Sequence, residues 1–400
     1  MTLVQIGAGN IGRSFVGQLF ARVGYEVVFV DVAYDIIRAL NERHAYTIEV
    51  RDTPAATLRI EGVRGINARD AEAAAETLAA ADIAATAVGP NALPHVFPLI
   101  ASALSRRRAA GRGPLDIIIC ENLRDAAQTF RDGLAQHLPE GFPLEESVGL
   151  IETSIGKMVP IMPEEVRRQD PLLVYAEAYN TLICDGRAFR NPIPDVPGLA
   201  PKQNMKAYVD RKLFVHNLGH AIAAYLGHYH APSLGHIWEV IEVGTVESAV
   251  RGGMAESARA LMAEYPGEFT DEGLSDHIDD LVRRLHNRAL GDTVYRVGRD
   301  LPRKLAPQDR LIGSLRLDHA HGIDAPNTVL GAAAALMFEA TDENGEVFGP
   351  DRALVRRVRE ESAVDVLRDV CGLTGEHPGD EGISAAIVNQ YARLATGMHP

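Results

Sequence analysis

A chain of 400 residues, 46% hydrophobic and 24% charged, has material for two domains with sizeable cores and is neither a coil nor a fibre. Its formal charge of -14 and pI near 5.5 oppose general binding to nucleic acid or an anionic membrane, because the summed field repels phosphate. Cys120, Cys184 and Cys371 are far apart and outside any CxxC spacing, which excludes a disulfide framework or a zinc knuckle and predicts buried free thiols.

The opening "MTLVQIGAG" enters an apolar strand without a basic n-region or cleavage site, and no run of about 18 apolar residues follows. A cytoplasmic protein is expected. "TLVQI" leads into "GAGNIG", then the helical "RSFVGQLFARVG" and a second strand, "YEVVFVD". Gly7, Gly9 and Gly12 have GxGxxG spacing: the first permits a tight turn, the second lets backbone approach a pyrophosphate, and the third lets helix and strand pack closely. The turn Gly7, Ala8, Gly9, Asn10, Ile11, Gly12 is the candidate dinucleotide cradle. Asp31 ends the second strand about 20 residues past the last glycine, where a ribose diol is held. Its carboxylate would repel a 2'-phosphate, and "VAYD" after it brings no arginine, so NAD is expected over NADP.

"AYTIEVRD" and "ATLRIEGV" predict a hairpin around Thr53-Pro54, inserted on the sheet edge. "DAEAAAETLAA" reads as a helix, while "DIAATAVGP" and "LDIIICEN" read as buried strands. Val88 and Gly89, ending the first of these strands, join the expected cofactor-binding set. The alternation continues to about residue 155 and predicts a mostly parallel Rossmann-like sheet. Asn122 follows "IIIC" on the carboxyl edge, where such sheets bind ligands; a helix N-cap is the competing reading.

The Pro-rich "RNPIPDVPGLAPKQN" (190–204) reads as a connection, so residues 1–193 are expected as the NAD-binding domain and 194–400 as a mainly α-helical substrate and catalytic domain. Helical patterns cover 205–227, 234–264, 273–288, 325–340, 351–370 and 382–396. In "RKLFVHNLGHAIAAYLG" (211–227), at about 100° per residue, Lys212, His216, His220 and Asn217 fall near 0, 40, 80 and 140°. Phe214, Leu218, Ala221, Ile222 and Tyr225 lie opposite. A solvated face would mix acids and bases, whereas this arc holds one amine, one amide and two imidazoles. Five histidines (216, 220, 228, 230, 236) raise a metal site, but the HExxH glutamate is missing and no Cys or acid stands at ligand spacing nearby, so no metal is expected. His228 and His230 read as loop residues. Arg296, Arg299, Arg303, Lys304 and Arg310 make a local basic excess. Either some grip a substrate phosphate, with Arg299, Arg303 and Lys304 as candidates, or they pair with Asp292, Asp300 and Asp309.

"GAGNIGRSFVGQLF", "TAVGPNALP", "CENLRD", "RKLFVHNLGHAIAAYLG" and "DTVYRVGRDLPRKLAPQDRLIG" occur in this order, and the chain resembles the polyol-specific long-chain dehydrogenases of the mannitol dehydrogenase family from residue 1 to about 340. The likeness includes the family's Lys-x4-Asn-x2-His motif at Lys212, Asn217 and His220. It implies an NAD-dependent oxidoreductase interconverting a polyol phosphate and a ketose phosphate without metal, mannitol 1-phosphate and fructose 6-phosphate being the expected pair. Lys212 would be the general base, its pKa lowered toward about 7 to 8. Asn217 and Asn122 would donate to the developing alkoxide, His220 would position a hydroxyl, and His216 would be structural. The expected partner is a small polyol or sugar phosphate, with no nucleic acid or membrane, acting on a monomer or weak homodimer. Gly156 and Lys157 stand where the family pattern has an Asp-Arg pair, Thr181 and Leu182 where it has Glu-Trp, and Arg288 where it has proline. A non-phosphorylated polyol or hexuronate is the alternative substrate, and a non-catalytic NAD-binding sensor is the competing class.

Overall fold

The computed structural model describes residues 1–52 and 54–397; Thr53 of the expected hairpin turn lies outside them. The chain divides into two compact units, Met1–Val209 and Asp210–Pro400.

The strands of the first unit are β1 (Thr2–Ile6), β2 (Glu26–Asp31), β3 (Ala45–Val50), β4 (Ala56–Glu61), β5 (Val63–Asn67), β6 (Ile83–Thr86), β7 (Leu115–Ile119), β8 (Val148–Ser154), β9 (Val174–Ala176), β10 (Leu182–Asp185) and β11 (Leu199–Lys202). Eight of them form one sheet in the order β11-β10-β8-β7-β6-β1-β2-β5. From β5 to β8 every neighbour is parallel, as the βαβ alternation predicts. Both faces are buried. Leu3, Val27, Phe29 and Ile118 belong to one core cluster, whereas Val4, Ile6, Val28, Val30, Ile117 and Ile119 belong to the other. Alternate residues of one strand thus serve opposite layers, which explains near-continuous apolar runs without polar alternation. Chain order reverses beside β1, whose neighbours are β2 and β6; this is the switch point at which doubly wound sheets bind ligands.

The hairpin β3-β4 forms in antiparallel register but does not extend the edge of the main sheet. It builds a second sheet, β4-β3-β9, by parallel pairing with β9. The Pro-rich stretch also differs from a plain connection. Buried Asp116 accepts from the Arg190 amide at 2.8 Å and the Asn191 amide at 3.0 Å, and Leu199–Lys202 closes the sheet by pairing with β10. The pairing with β10 keeps residues 199–202 with the first unit, whose compact part ends at Val209.

The second unit is helical. Helix Leu218–His230 buries Leu218, Ala221, Ile222 and Tyr225, the apolar stripe read from the sequence. Helices cross closely here at glycine: a Cβ at Gly331 would stand 2.7 Å from Ile222, and one at Gly219 would stand 2.6 Å from Met254. Buried Glu256 accepts from the amides of Asn327 and Thr328, each at 3.0 Å, and so satisfies the first turn of helix Pro326–Ala335 with a charge of the favourable sign. The pattern over 234–264 is two helices, Ile237–Val240 and Gly244–Glu264. That over 351–370 also divides, at Ser362, which caps Ala363–Asp369. Helix Ile312–Ala320 was not expected. His228 and His230 lie in the last helical turn and not in a loop. The three cysteines are free and buried, and burial pushes the thiols of Cys184 and Cys371 up to about 12. Among the described residues no helix is long and apolar enough to cross a membrane.

Candidate active site

In the first unit, the carboxyl ends of β1, β2 and β6 border a cleft of about 650 Å³, lined in part by Gly7, Gly9, Asp31, Val32 and Val88. Gly7 has φ of +99°, and a Cβ there would stand 2.4 Å from the Ala87 carbonyl oxygen. At Gly12 a Cβ would meet the Gly7 carbonyl oxygen at 2.1 Å, whereas nothing lies within 4 Å of one at Gly9. Two glycines are therefore required by the protein's own packing, and the third faces open space a ligand can use. Asp31 is already engaged: it accepts from the Ala8 amide at 2.6 Å and the Ala33 amide at 2.9 Å, tying the glycine turn to the end of β2. Each oxygen retains acceptor capacity toward a diol.

Two buried charged groups that the sequence does not single out hold this cleft in shape. Arg13 donates from Nε to the Ala8 carbonyl at 2.7 Å and from Nη1 to that of Pro171 at 2.9 Å, while the Tyr46 hydroxyl donates to the Arg13 carbonyl at 2.6 Å. Burial lowers the guanidinium to about 10, so it stays charged near neutrality. Buried Glu121 accepts from the amides of Val88 and Gly89 at 2.9 and 2.8 Å, and burial holds its carboxyl above the ordinary range. Asn122 beside it is exposed at the carboxyl end of β7. The N-cap position of the following helix is Asp125, which makes no side-chain capping bond, so Asn122 is not its N-cap. Lys157 is buried, donating to the carbonyls of Glu177 at 3.0 Å and Tyr179 at 2.6 Å and to Asn180 Oδ1 at 2.7 Å.

The second unit carries the Lys-x4-Asn-x2-His motif, and there the backbone departs from the regular α-helix assumed above. Lys212–Asn217 is a π-helical turn between α-helices Met205–Arg211 and Leu218–His230. Bonding from i to i+5 brings positions five apart, such as Lys212 and Asn217, toward one face, whereas an α-helix separates them by about 140°. Lys212 is half-buried, and burial, then the nearby Arg310 charge, lower its pKa to about 8.

The imidazoles of His216 and His220 stack at 4.7 Å with 18° between planes. His220 Nδ1 lies 2.9 Å from the His216 carbonyl oxygen; because a carbonyl only accepts, the proton sits on Nδ1 and a lone pair is left on Nε2. Burial is the main cause holding both rings neutral, His220 at about 4 and His216 well below the usual histidine range, with Arg284 adding to each. Among the described residues, no three His, Cys, Asp or Glu side chains converge at metal-ligand spacing.

The basic stretch divides in the structure. Arg296 pairs with Asp292, Arg303 with Asp300 and Arg310 with Asp309. Arg299 lies over the rings of Tyr295 and Phe348. Lys304 is buried, donates to the Val297 carbonyl and is lowered to about 7, mainly by burial. The expected group Arg299, Arg303 and Lys304 is thus engaged with rings, an acid and a carbonyl.

Family models match both parts of the chain, that of the mannitol dehydrogenase Rossmann domain over residues 1–198 and that of the mannitol dehydrogenase C-terminal domain over residues 204–370. The chain belongs to the mannitol dehydrogenase family. It is an oxidoreductase, and the resemblance read from its motifs is borne out. A mannitol-1-phosphate 5-dehydrogenase of Brevibacillus brevis is 32% identical over 395 residues, 98% of each chain. One of Bacillus licheniformis is 34% identical over 380 residues, 94% of this chain and 97% of the relative. Two solved structures share the fold. Mannitol 2-dehydrogenase of Pseudomonas fluorescens, in a ternary complex with NAD and D-mannitol, has a TM-score of 0.75 at 19% identity and covers 100% of this chain and 92% of its own. Substrate-free D-sorbitol dehydrogenase has 0.82 at 16%, covering 99% and 93%.

Gly9 and Gly12 separate packing from ligand access. Gly12→Ala is expected to lower Tm by about 5 to 10 °C. Gly9→Ala is expected to melt as the wild type while weakening dinucleotide binding about 10-fold or more. Thermal melts and fluorescence titration with NADH read the two effects.

Proposed function

We propose that this chain is an NAD-dependent polyol-phosphate dehydrogenase that interconverts mannitol 1-phosphate and fructose 6-phosphate, with Lys212 as the general base in oxidation and general acid in reduction. The observation that carries the reading is the half-buried amine of Lys212, lowered to about 8, in the π-turn that also holds Asn217. An ordinary lysine, with a pKa near 10.4, is almost wholly protonated at neutrality and cannot accept a proton. Lowered to about 8, it has a usable neutral fraction and returns the proton in the reverse direction.

The cleft fits a dinucleotide, because Gly7 turns tightly, Gly9 leaves room and Asp31 places a carboxylate at the end of β2. A bound nicotinamide supplies the hydride acceptor. Asp31 disfavours a 2'-phosphate by repulsion. Arg106 also borders the cleft, but its Nη atoms donate to both Glu72 oxygens at 2.7 and 2.6 Å, which offsets its charge. NAD is therefore the proposed cofactor.

Lys212 takes the hydroxyl proton as the carbinol is oxidised. Asn217 and Asn122 are proposed amide donors to the oxygen as negative charge develops. His220, with its proton fixed on Nδ1, accepts a substrate hydroxyl at Nε2 and orients it. Mannitol 1-phosphate is proposed over a free polyol because both relatives above bear that substrate in their names.

With NAD and mannitol 1-phosphate, the wild type is expected to produce the near-ultraviolet absorbance of reduced nicotinamide. Lys212→Ala should turn over about 10² to 10⁴ more slowly with NAD affinity unchanged. Absence of turnover on mannitol 1-phosphate, mannitol, sorbitol 6-phosphate and arabinitol would favour the non-catalytic sensor. Asp31→Ala should narrow the ratio of kcat/KM for NAD over NADP by about 10-fold or more. An unchanged ratio would remove Asp31 from the ribose site.

A further inference from the structure

We propose that Arg310 holds the phosphate of the substrate, presenting its two Nη amines to the phosphate oxygens while Asp309 fixes the other edge of the guanidinium. The assignment rests on the polyol-phosphate reading above and gives the second unit a phosphate subsite beside its catalytic turn.

Arg310 differs in its bonding from the other basic residues of its stretch. Its side chain is only 12% exposed, and Nε donates to Asp309 Oδ1 at 2.7 Å. Neither Nη atom has a hydrogen-bond partner among the described residues, yet neither is sealed from solvent. A nearly buried guanidinium anchored by one edge, with its outer amines open, has the form that receives two oxygens of a phosphate at once. Asp309 Oδ2 also lies 4.0 Å from Arg303 Nη1, but Arg303 has its closer partner in Asp300 at 2.5 Å, so Asp309 serves mainly Arg310.

Packing places this group beside the motif. Asp309 accepts from the Gly313 amide at 2.8 Å through its backbone carbonyl, and a Cβ at Gly313 would stand 2.8 Å from the ring of Phe214, a residue of the π-turn. Glycine at that contact lets the first turn of Ile312–Ala320 approach Lys212–Asn217. The charge of Arg310 acts on both Lys212 and His220, and Arg284 and Arg296 act on His220 as well. A phosphate monoester, carrying about -1.5 to -2 at neutral pH, is the anion this cluster matches. When bound, it offsets the Arg310 charge and weakens the effect that lowers Lys212.

The test compares substrates within one enzyme. Substituting Arg310 also changes the setting of Lys212, so kcat/KM is measured on the alkaline plateau, where Lys212 is neutral in every variant, and the ratio for mannitol 1-phosphate to that for mannitol there isolates the phosphate contact. Arg310→Met should reduce the ratio about 10- to 100-fold. Arg310→Lys, which keeps the charge but loses the fork, should fall between. Inorganic phosphate should raise the Tm of the wild type and have no effect on that of Arg310→Met, a readout independent of turnover. An unchanged ratio in both variants, or an equal phosphate-induced shift in wild type and Arg310→Met, would overturn the assignment. Wild-type turnover of mannitol with none of mannitol 1-phosphate would instead refute the polyol-phosphate reading, leaving the phosphate-induced shift to decide whether Arg310 binds the anion.

Discussion

Burial disfavours the charged form of an amine, and nearby cations disfavour it further; the chemistry proposed for this chain depends on that constraint at Lys212. Either effect would be undone by a well-placed acid, which would restore the proton and lose the base. The helical unit keeps acids of this neighbourhood occupied. Tyr265 donates to Asp210, Arg310 engages Asp309, and Arg296 engages Asp292. The histidines contribute without adding charge, since burial holds His216 and His220 neutral. The result is a positive local field in a chain whose formal charge is -14; it attracts an anionic substrate and, before that anion binds, adds to the burial that keeps the amine neutral.

The first unit solves a different problem with the same means. A dinucleotide needs exposed backbone amides and a carboxylate held in fixed places, and loops alone do not hold them. Arg13 and Glu121 reach under the loops and bind their backbone groups. A buried ion is costly unless its hydrogen bonds are made, so each also penalises any rearrangement of the loop it supports. The same logic recurs at Asp116, which retains the Pro-rich segment, and at Glu256, which caps a helix.

The strands were legible because both faces of the sheet are buried and their sequences are almost uninterrupted apolar runs; the glycine spacing and Asp31 gave the cleft its place. Other features left weaker traces. Arg13, Glu121 and Asp116 look like ordinary surface charges until the fold encloses them. Helix Ile312–Ala320 carries Arg316, Asp318 and His319 among its apolar residues, which breaks the stripe a periodicity reading needs. The π-turn was hidden because its apolar residues also fit an α-helix. Its available signal was the separation of five between Lys212 and Asn217, awkward for an α-helix and natural for i to i+5 bonding. Among the basic residues, composition offered phosphate binding or ion pairing as exclusive alternatives, whereas Arg310 uses one edge for an acid and leaves the other open.

The state of one amine is the central claim, and it can be read without any substrate. Competitive acetylation of the intact protein across a pH series, quantified at Lys212 by peptide mass spectrometry, measures when that nitrogen becomes nucleophilic. A midpoint of about 8 is expected. A midpoint near the ordinary lysine value of 10.5 would mean that the amine is charged at neutral pH, and would contradict it.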